Sequence, residues 1–571
     1  MATQYVKDKR LSNKERVDLS NKSVIGFFEE SLRKNWDLEA LTDYQGKTLL
    51  YRDVAVYIEK LHILFQCCGL QPGDKVAICG KNCSMWGVTF LSVFTYGAVP
   101  VPILADFKSD YIHNIVNHSE AKLLFVGDSV WPGLNPDEMT SIIGAVLIND
   151  LSLVLSRSEE LTETRNTLNK MFGAKYPSDF GSNDINYYHE TDTNSLAILN
   201  YTSGTTSFPK GVMIPYRAVR CNLTYACRTL PLQIGSRTVS ILPLAHMFGL
   251  AFEFMYEILL GCHIHFLTRI PSPKIVFMAF GEFKPNLIIS VPLVIEKVVK
   301  TTIFPQLKKP RMKIAMQIPF LKNKIKSAIR QKLINAFGGE IIELIIGGAA
   351  LSKEVEEFLI RIKFPFTVGY GSTECAPLIS YIDWSIYKPG SCGQPIDGVE
   401  VKILSNNPQK EPGEIIIKGD NVMLGYYKNQ VATSEVIDAD GWFYSGDIGL
   451  MDAEDNIFIK GRSKNMILGS SGQNIYPEEI EDILGNLPYV SECLVVERDG
   501  KLTALVFPNM EEVKNDGITE EKIKEIMEQN RTILNSGLPG YEQISQIRIL
   551  TEGFEKTPKN SIKRFLYQNK K

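Results

Sequence analysis

The sequence predicts an α/β protein with a large N-terminal body of several βα units and a smaller C-terminal α+β domain. Three observations lead there. The chain has 571 residues, whereas one hydrophobic core stops growing near ~250–300 residues, so more than one folding unit is required. Short apolar runs closed by Gly, Pro or Asp alternate with helix-length stretches over most of its length. After Gly461 that rhythm gives way to short strands, one charged helix and a basic tail.

The first βα units lie between Ser23 and Asp192, where VAVYIEKLHILFQCCGL reads as a helix and KVAICG, AVPVPI and KLLFVGD read as strands. Continuous apolar runs of this length belong to strands buried on both faces of a mostly parallel sheet. The same rhythm continues through SLAILNYTSG, TVSILPLAH, GCHIHFLT, PNLIISVP and IIELIIGGAA, so residues 1–461 are expected to form one α/β region. The uncharged run from Cys83 to Ala105 is long enough to cross a bilayer, but Gly97, Pro100 and Pro102 interrupt it, and a buried helix leading into a strand is the better reading. Residues 462–571, with ECLVVERDGKLTALVF and ITEEKIKEIMEQNRTIL, form the separate C-terminal domain.

Composition narrows the function classes. The chain is 44% hydrophobic and 22% charged, as in ordinary water-soluble globular proteins. A net charge of −3 provides no global field to recruit nucleic acid. The polar N-terminus lacks the apolar core of a signal peptide, and ten cysteines without metal-ligand spacing read as reduced, mostly buried thiols, so a cytoplasmic location is expected. One segment departs from this neutrality, because residues 297–339 carry eleven basic residues and no acidic one. Its second half mixes cations with apolar residues at helical spacing. It reads either as a solvated helix face or as a peripheral contact with anionic lipid headgroups.

The stretch YTSGTTSFPKG, Tyr201 to Gly211, follows the apolar run LAILN. A strand ending in hydroxyls and glycine offers backbone N–H groups and side-chain donors to phosphate oxygens. It is not a Walker A loop, because Lys210 precedes Gly211 and the hydroxyls precede both. Six further segments follow in order: LPLAHMFG (Leu242 to Gly249), IIGGAAL (Ile345 to Leu351), VGYGSTECAP (Val368 to Pro377), GEIIIKGDNVMLGYY (Gly413 to Tyr427), GWFYSGDIG (Gly441 to Gly449) and IKGRSKNMILGSSGQNIYPEEIE (Ile459 to Glu481). Together these segments resemble the adenylate-forming enzymes, which include acyl-CoA synthetases, firefly luciferase and the adenylation domains of peptide synthetases.

The resemblance implies the adenylate-forming fold, with a mobile C-terminal lid. It also implies a two-step reaction in which a carboxylate attacks the α-phosphate of ATP and a thiol, usually that of coenzyme A, then displaces AMP. A carboxylate is already ionised at pH 7 and needs no general base. The chemistry instead demands compensation of charge on phosphate oxygens by donors, cations and Mg²⁺. By position, the resemblance puts Thr202, Ser203, Gly204, Thr205, Thr206 and Lys210 around the β- and γ-phosphates. Glu374, with Thr205, would hold Mg²⁺, and Thr373 would donate to the α-phosphate. Tyr370 and Gly371 would lie at the adenine, with Gly348, Ala349 and Ala350 approaching the purine by backbone. Asp447 would accept from both ribose hydroxyls, assisted by Arg462. His246 would sit near the reacting carboxylate. Arg462 to Lys464 would be the hinge, and Gly469 to Gln473 would line the thiol channel.

Two positions depart from the family pattern. Ser207 stands where glycine is usual, and Ser561 falls where the family carries its C-terminal lysine in EKTPKNSIKRFLY. Lys563 or Lys559 is expected to replace that lysine. The motifs are most like those of fatty-acid–CoA ligases, and FGLAFEFMYEILLG is either the wall of a lipid tunnel or plain core. A fatty acyl-AMP ligase, an acyl-carrier-protein ligase and a non-catalytic nucleotide-binding regulator are the alternatives.

Overall fold

The computed structural model describes residues 23–202, 209–268, 273–307, 309–315, 317–468, 473–498, 500–556 and 562–568. Five strands form the first sheet in the order Val99–Ile103, Lys75–Cys79, Leu123–Val126, Gly144–Leu147 and Leu153–Ser156, parallel except at the last edge. Seven strands form the second, in the order Phe366–Val368, Glu343–Ile346, Leu287–Ser290, Arg237–Ser240, His263–Phe266, Glu39–Asp43 and Thr48–Leu50, of which only Thr48–Leu50 runs antiparallel to its neighbour. Their central strands are buried along nearly their whole length, as parallel strands covered by helices on both faces must be. The run Cys83 to Ala105 is the buried helix Ser84–Thr95 followed by the strand Val99–Ile103. Among the described residues no helix is long and apolar enough to cross a membrane.

Within the α/β body, the rhythm of βα units does not run as far as residue 461. From Val399 the chain forms a four-stranded antiparallel sheet in the order Val399–Leu404, Gly413–Gly419, Phe443–Met451 and Ile457–Arg462. The physical reason is visible in VEVKIL, whose residues alternate between buried and exposed. Such a strand buries one face only, and an antiparallel neighbour needs no crossover helix to reach it. The cysteines also differ slightly from expectation: all ten are free thiols, but four are buried and six half-buried.

The C-terminal residues form a three-stranded sheet, Val490–Arg498, Lys501–Pro508 and Gln546–Ile549, packed by the helices Pro477–Gly485 and Glu520–Ser536 around Ile480, Leu484, Val506, Met527 and Leu534. This unit touches the body where Ser352 Oγ donates to Asn486 Oδ1 at 2.9 Å.

The stretch FGLAFEFMYEILLG packs into the largest core through Phe252, Phe254, Met255, Tyr256, Ile258 and Leu259. It buries two carboxyls, Glu253 and Glu257, with no cation beside them in the described contacts. Thr238 Oγ1 lies 2.6 Å from Glu257 Oε2, yet burial dominates and pushes the Glu257 carboxyl from an ordinary 4.5 to about 8. An acid whose folded pKa is raised keeps its proton in the folded chain while the unfolded chain has already lost it. Stability therefore falls as pH rises from the ordinary carboxylate range towards about 8. Glu257→Gln is expected to flatten part of that decline in a melting-temperature series against pH; an unchanged slope would show that this carboxyl does not titrate as described.

Candidate active site

The strand Leu196–Thr202 pairs antiparallel with Lys210–Pro215, and Thr202 and Lys210 are the partners that close the hairpin. Ser203, Gly204, Thr205, Thr206 and the variant Ser207 lie outside the described residues, but the paired residues fix the mouth of that loop. A third strand, Gly425–Tyr426, pairs with the far side of Lys210–Pro215, with Tyr426 opposite Val212. This register places the Lys210 ammonium 4.7 Å from the centre of the Tyr426 ring.

Tyr426 is the link that motif reading alone does not single out. Its hydroxyl donates to Glu374 Oε1 at 3.0 Å, so one buried ring touches both the lysine and the carboxylate. Burial, reinforced by the Glu374 charge, raises the Tyr426 phenol far above its usual value and keeps it a donor. Met423 N–H donates to the Glu374 carbonyl at 2.8 Å, which ties the same corner down from the main chain.

The Thr373–Cys375 turn follows the strand Tyr370–Gly371. Gly371 is required by close approach: a Cβ there would lie 2.1 Å from the Pro377 carbonyl oxygen. Asn222, from the helix Tyr216–Thr229, braces the corner from behind. Its Nδ2 donates to the Cys375 carbonyl at 3.1 Å and its Oδ1 accepts from Leu378 N–H at 2.8 Å. Nothing in the sequence around Asn222 marks that role.

Tyr370 and Asp447 meet directly, the Tyr370 hydroxyl donating to Asp447 Oδ2 at 2.6 Å. Asp447 and Arg462 are partners in the antiparallel register of Phe443–Met451 and Ile457–Arg462, and the Arg462 Nε lies 2.7 Å from Asp447 Oδ1. Burial raises the Asp447 carboxyl above the usual range, while Arg462 and Tyr370 oppose it and Glu374 adds to it. Among the described residues each Asp447 oxygen meets one donor, which leaves a second lone pair on each for a diol. Lys464 is partly desolvated, and burial lowers its pKa, with the charges of Arg462 and Lys210 adding to that and Asp447 resisting it. Lys210, Glu374, Tyr370, Asp447, Arg462 and Lys464 thus share one electrostatic neighbourhood.

The second cluster lies around LPLAHMFG. His246 is half-buried and precedes the helix Met247–Leu250, and the neighbouring Ala245 carbonyl accepts from Asn200 Nδ2 at 2.9 Å. Glu253 Oε2 accepts from the N–H groups of Ile241 (3.1 Å) and Leu242 (2.9 Å), setting the start of this turn. Phe248 reaches the loop after Glu343–Ile346, where a Cβ on Gly347 would meet its ring at 2.9 Å. In that loop Gly348 has φ +81°, which favours glycine, and Gly348, Ala349 and Ala350 are exposed.

Lys563 is held in the C-terminal tail. Its ammonium lies 3.7 Å from Glu555 Oε2 and its N–H donates to the Glu555 carbonyl, so its described contacts do not bring it to the Lys210–Glu374 corner. Lys559, Ser561 and Gly469 to Gly472 lie outside the described residues. The next residue, Arg564, pairs with Glu481 and Glu478, which fastens the tail to the helix Pro477–Gly485.

An α/β body on two mostly parallel sheets, a small C-terminal unit and a cation–carboxylate–tyrosine cluster between the hairpin and the antiparallel sheet are the features of the adenylate-forming fold. The chain matches the AMP-binding enzyme family over residues 28–427 and the AMP-binding enzyme C-terminal domain over residues 464–570. It belongs to that family and, with it, to the acid–thiol ligases.

Among its relatives is a long-chain-fatty-acid–CoA ligase of Bacillus subtilis (strain 168), 27% identical over 503 residues that cover 84% of this chain and 83% of the relative. A chloroplastic long-chain-fatty-acid–[acyl-carrier-protein] ligase of Arabidopsis thaliana is 25% identical over 577 residues, covering 86% of this chain and 77% of the relative. The fold is shared with an anthranilate CoA ligase solved with anthranoyl-AMP, at TM-score 0.76 and 19% identity, over 96% of this chain and 97% of that one.

Proposed function

We propose that this protein uses ATP to convert a medium- or long-chain fatty acid into an acyl adenylate and then transfers the acyl group to coenzyme A. The observation that carries the reading is the continuous set of contacts from Lys210 through Tyr426 to Glu374, with Tyr370, Asp447 and Arg462 beside it. These residue types suit a nucleotide triphosphate. Lys210 and the Thr202 to Thr206 hydroxyls would neutralise the outer phosphates, with Thr373 donating to the α-phosphate. Asp447 would hold the ribose, steadied by Arg462, and Tyr370 and Gly371 would flank the base with Gly348, Ala349 and Ala350. His246 would face the acid.

The donor set also fits Mg²⁺. A small hard cation takes one or two carboxylates and fills its remaining positions with substrate phosphates and water. Among the described residues no group of three or more His, Cys, Asp and Glu side chains is gathered for a metal, so Glu374, with Thr205, would share the ion with the phosphates. When bound, the ion would offset charge on the phosphate oxygens.

The division into residues 1–461 and 462–571, hinged near Arg462 to Lys464, completes the proposal. There the strand Ile457–Arg462 ends and a single turn, Ser463–Asn465, begins, so rotation about a few dihedrals would exchange the face offered to the cleft. Lys563, or Lys559, would enter the cleft only after such a rotation.

The fatty acid is supported by the names of relatives, and the Arabidopsis relative supports acyl carrier protein as a second acceptor. A non-catalytic regulator is disfavoured by the presence of Lys210, Glu374, Asp447 and Arg462 together. Pyrophosphate release is to be measured across acids of increasing chain length, with and without coenzyme A. Release that rises with chain length and coenzyme A-dependent AMP release support the reading. AMP release that needs acyl carrier protein assigns the other acceptor, and no release with any acid refutes ligase activity.

A further inference from the structure

The basic segment carries an apolar crest that the core leaves in water. The helix Pro319–Ala336 is anchored at its C-terminal end, where Leu333 is 2% exposed and the adjoining Phe337 is fully buried among Phe280, Val299 and Ile346. At the other end Ile318, Phe320 and Leu321 are 46%, 67% and 38% exposed, and Ile314, in the preceding helix Pro310–Ala315, is 64% exposed. A single exposed apolar side chain is ordinary; four within eight residues are a patch that wants a partner.

The surrounding charge identifies that partner. Lys309, Lys322 and Lys324 are exposed beside the crest, with the Lys324 ammonium 4.5 Å from the centre of the Phe320 ring. Among the described residues no ion pair involves Lys309, Lys322, Lys324, Lys326 or Arg330, and the segment's one described pair joins Lys300 to Glu296 at 3.6 Å. Eleven cations without an acid, in a chain of net charge −3, are a local field of one sign. Nucleic acid would satisfy the lysines but not three aliphatic side chains, whereas a lipid interface takes both.

We propose that the exposed crest of Ile314, Ile318, Phe320 and Leu321 docks on anionic bilayers, with these side chains at the headgroup boundary and Lys309, Lys322 and Lys324 on the headgroup phosphates. This stands whatever acid the active site uses. The test is co-sedimentation of the full chain with phosphatidylcholine vesicles, with and without phosphatidylglycerol, and with a short oligonucleotide as competitor. Expected are pelleting only with the anionic vesicles, no displacement by the oligonucleotide, and a bound fraction lowered by about tenfold or more both in Ile314→Ser/Phe320→Ser and in Lys322→Ala/Lys324→Ala. All four side chains are exposed, so the melting temperature should not move. Equal pelleting with both lipids, variants that pellet like the parent, or displacement by the oligonucleotide would overturn the proposal.

Discussion

Glu374→Gln is expected to lower fatty-acid-dependent pyrophosphate release by about 10²-fold or more, since a bound metal supplies several kcal/mol of charge stabilisation and each 1.36 kcal/mol is a factor of ten. Glutamine has the same shape, and its carbonyl oxygen still accepts from the Tyr426 hydroxyl, so the corner should survive. What is lost is the charge that would hold Mg²⁺. Raising the Mg²⁺ concentration should recover part of the rate in the variant. Tyr426→Phe leaves the carboxylate in place but removes the hydroxyl that orients it at 3.0 Å; its loss should be smaller, about tenfold, by analogy with partners that orient metal ligands. A Glu374→Gln enzyme as fast as the parent would remove this residue from the reaction.

Asp447→Asn should act chiefly on the nucleotide. Asp447 receives the Tyr370 hydroxyl on one oxygen and Arg462 Nε on the other. Asparagine has one acceptor oxygen, so one of the two donors would face an amide N–H. Loss of a buried partner typically costs ~3–5 kcal/mol, but the Arg462 side chain is 51% exposed and can turn to water, so about 1–2 kcal/mol of stability is expected to go. The KM for ATP should rise by about 10²-fold, the worth of two charge-assisted hydrogen bonds to a diol. The parent should also show a pH signature. Burial raises this carboxyl, so the acceptor-only form is lost, as pH falls, earlier than for an exposed aspartate. ATP affinity should therefore weaken more steeply on acidification in the parent than in Asp447→Asn. An ATP KM unchanged by the substitution would refute the ribose role.

The parallel strands were legible because burial on both faces forces continuous apolar runs, as in KVAIC and LLFV. The antiparallel sheet was absorbed into the same rhythm, although VEVKIL already alternates as a one-faced strand does. The motif residues were legible one at a time, but their connections were not. Asp447 and Arg462 meet through strand register, and Lys210 and Glu374 through the ring and hydroxyl of Tyr426. Asn222 and Glu253 hold main-chain groups at the site's edges through long-range contacts that local sequence does not encode. Glu253 and Glu257 did leave a trace, as two acids inside an otherwise apolar run. The tail shows the reverse limit: ungapped spacing aligns Ser561 with the family lysine, while the neighbouring Lys563 is tied to Glu555.

In this reading the hydroxyl-rich hairpin, the Thr373–Glu374 corner and Asp447 serve one bound ATP. Isotope exchange between pyrophosphate and ATP, followed with Mg²⁺ and a long-chain fatty acid but without coenzyme A, isolates the adenylation step. Exchange is expected to need both the acid and Mg²⁺ and to collapse in Glu374→Gln and Asp447→Asn. Exchange undiminished in those variants, or ATP binding with no exchange for any acid, would contradict it.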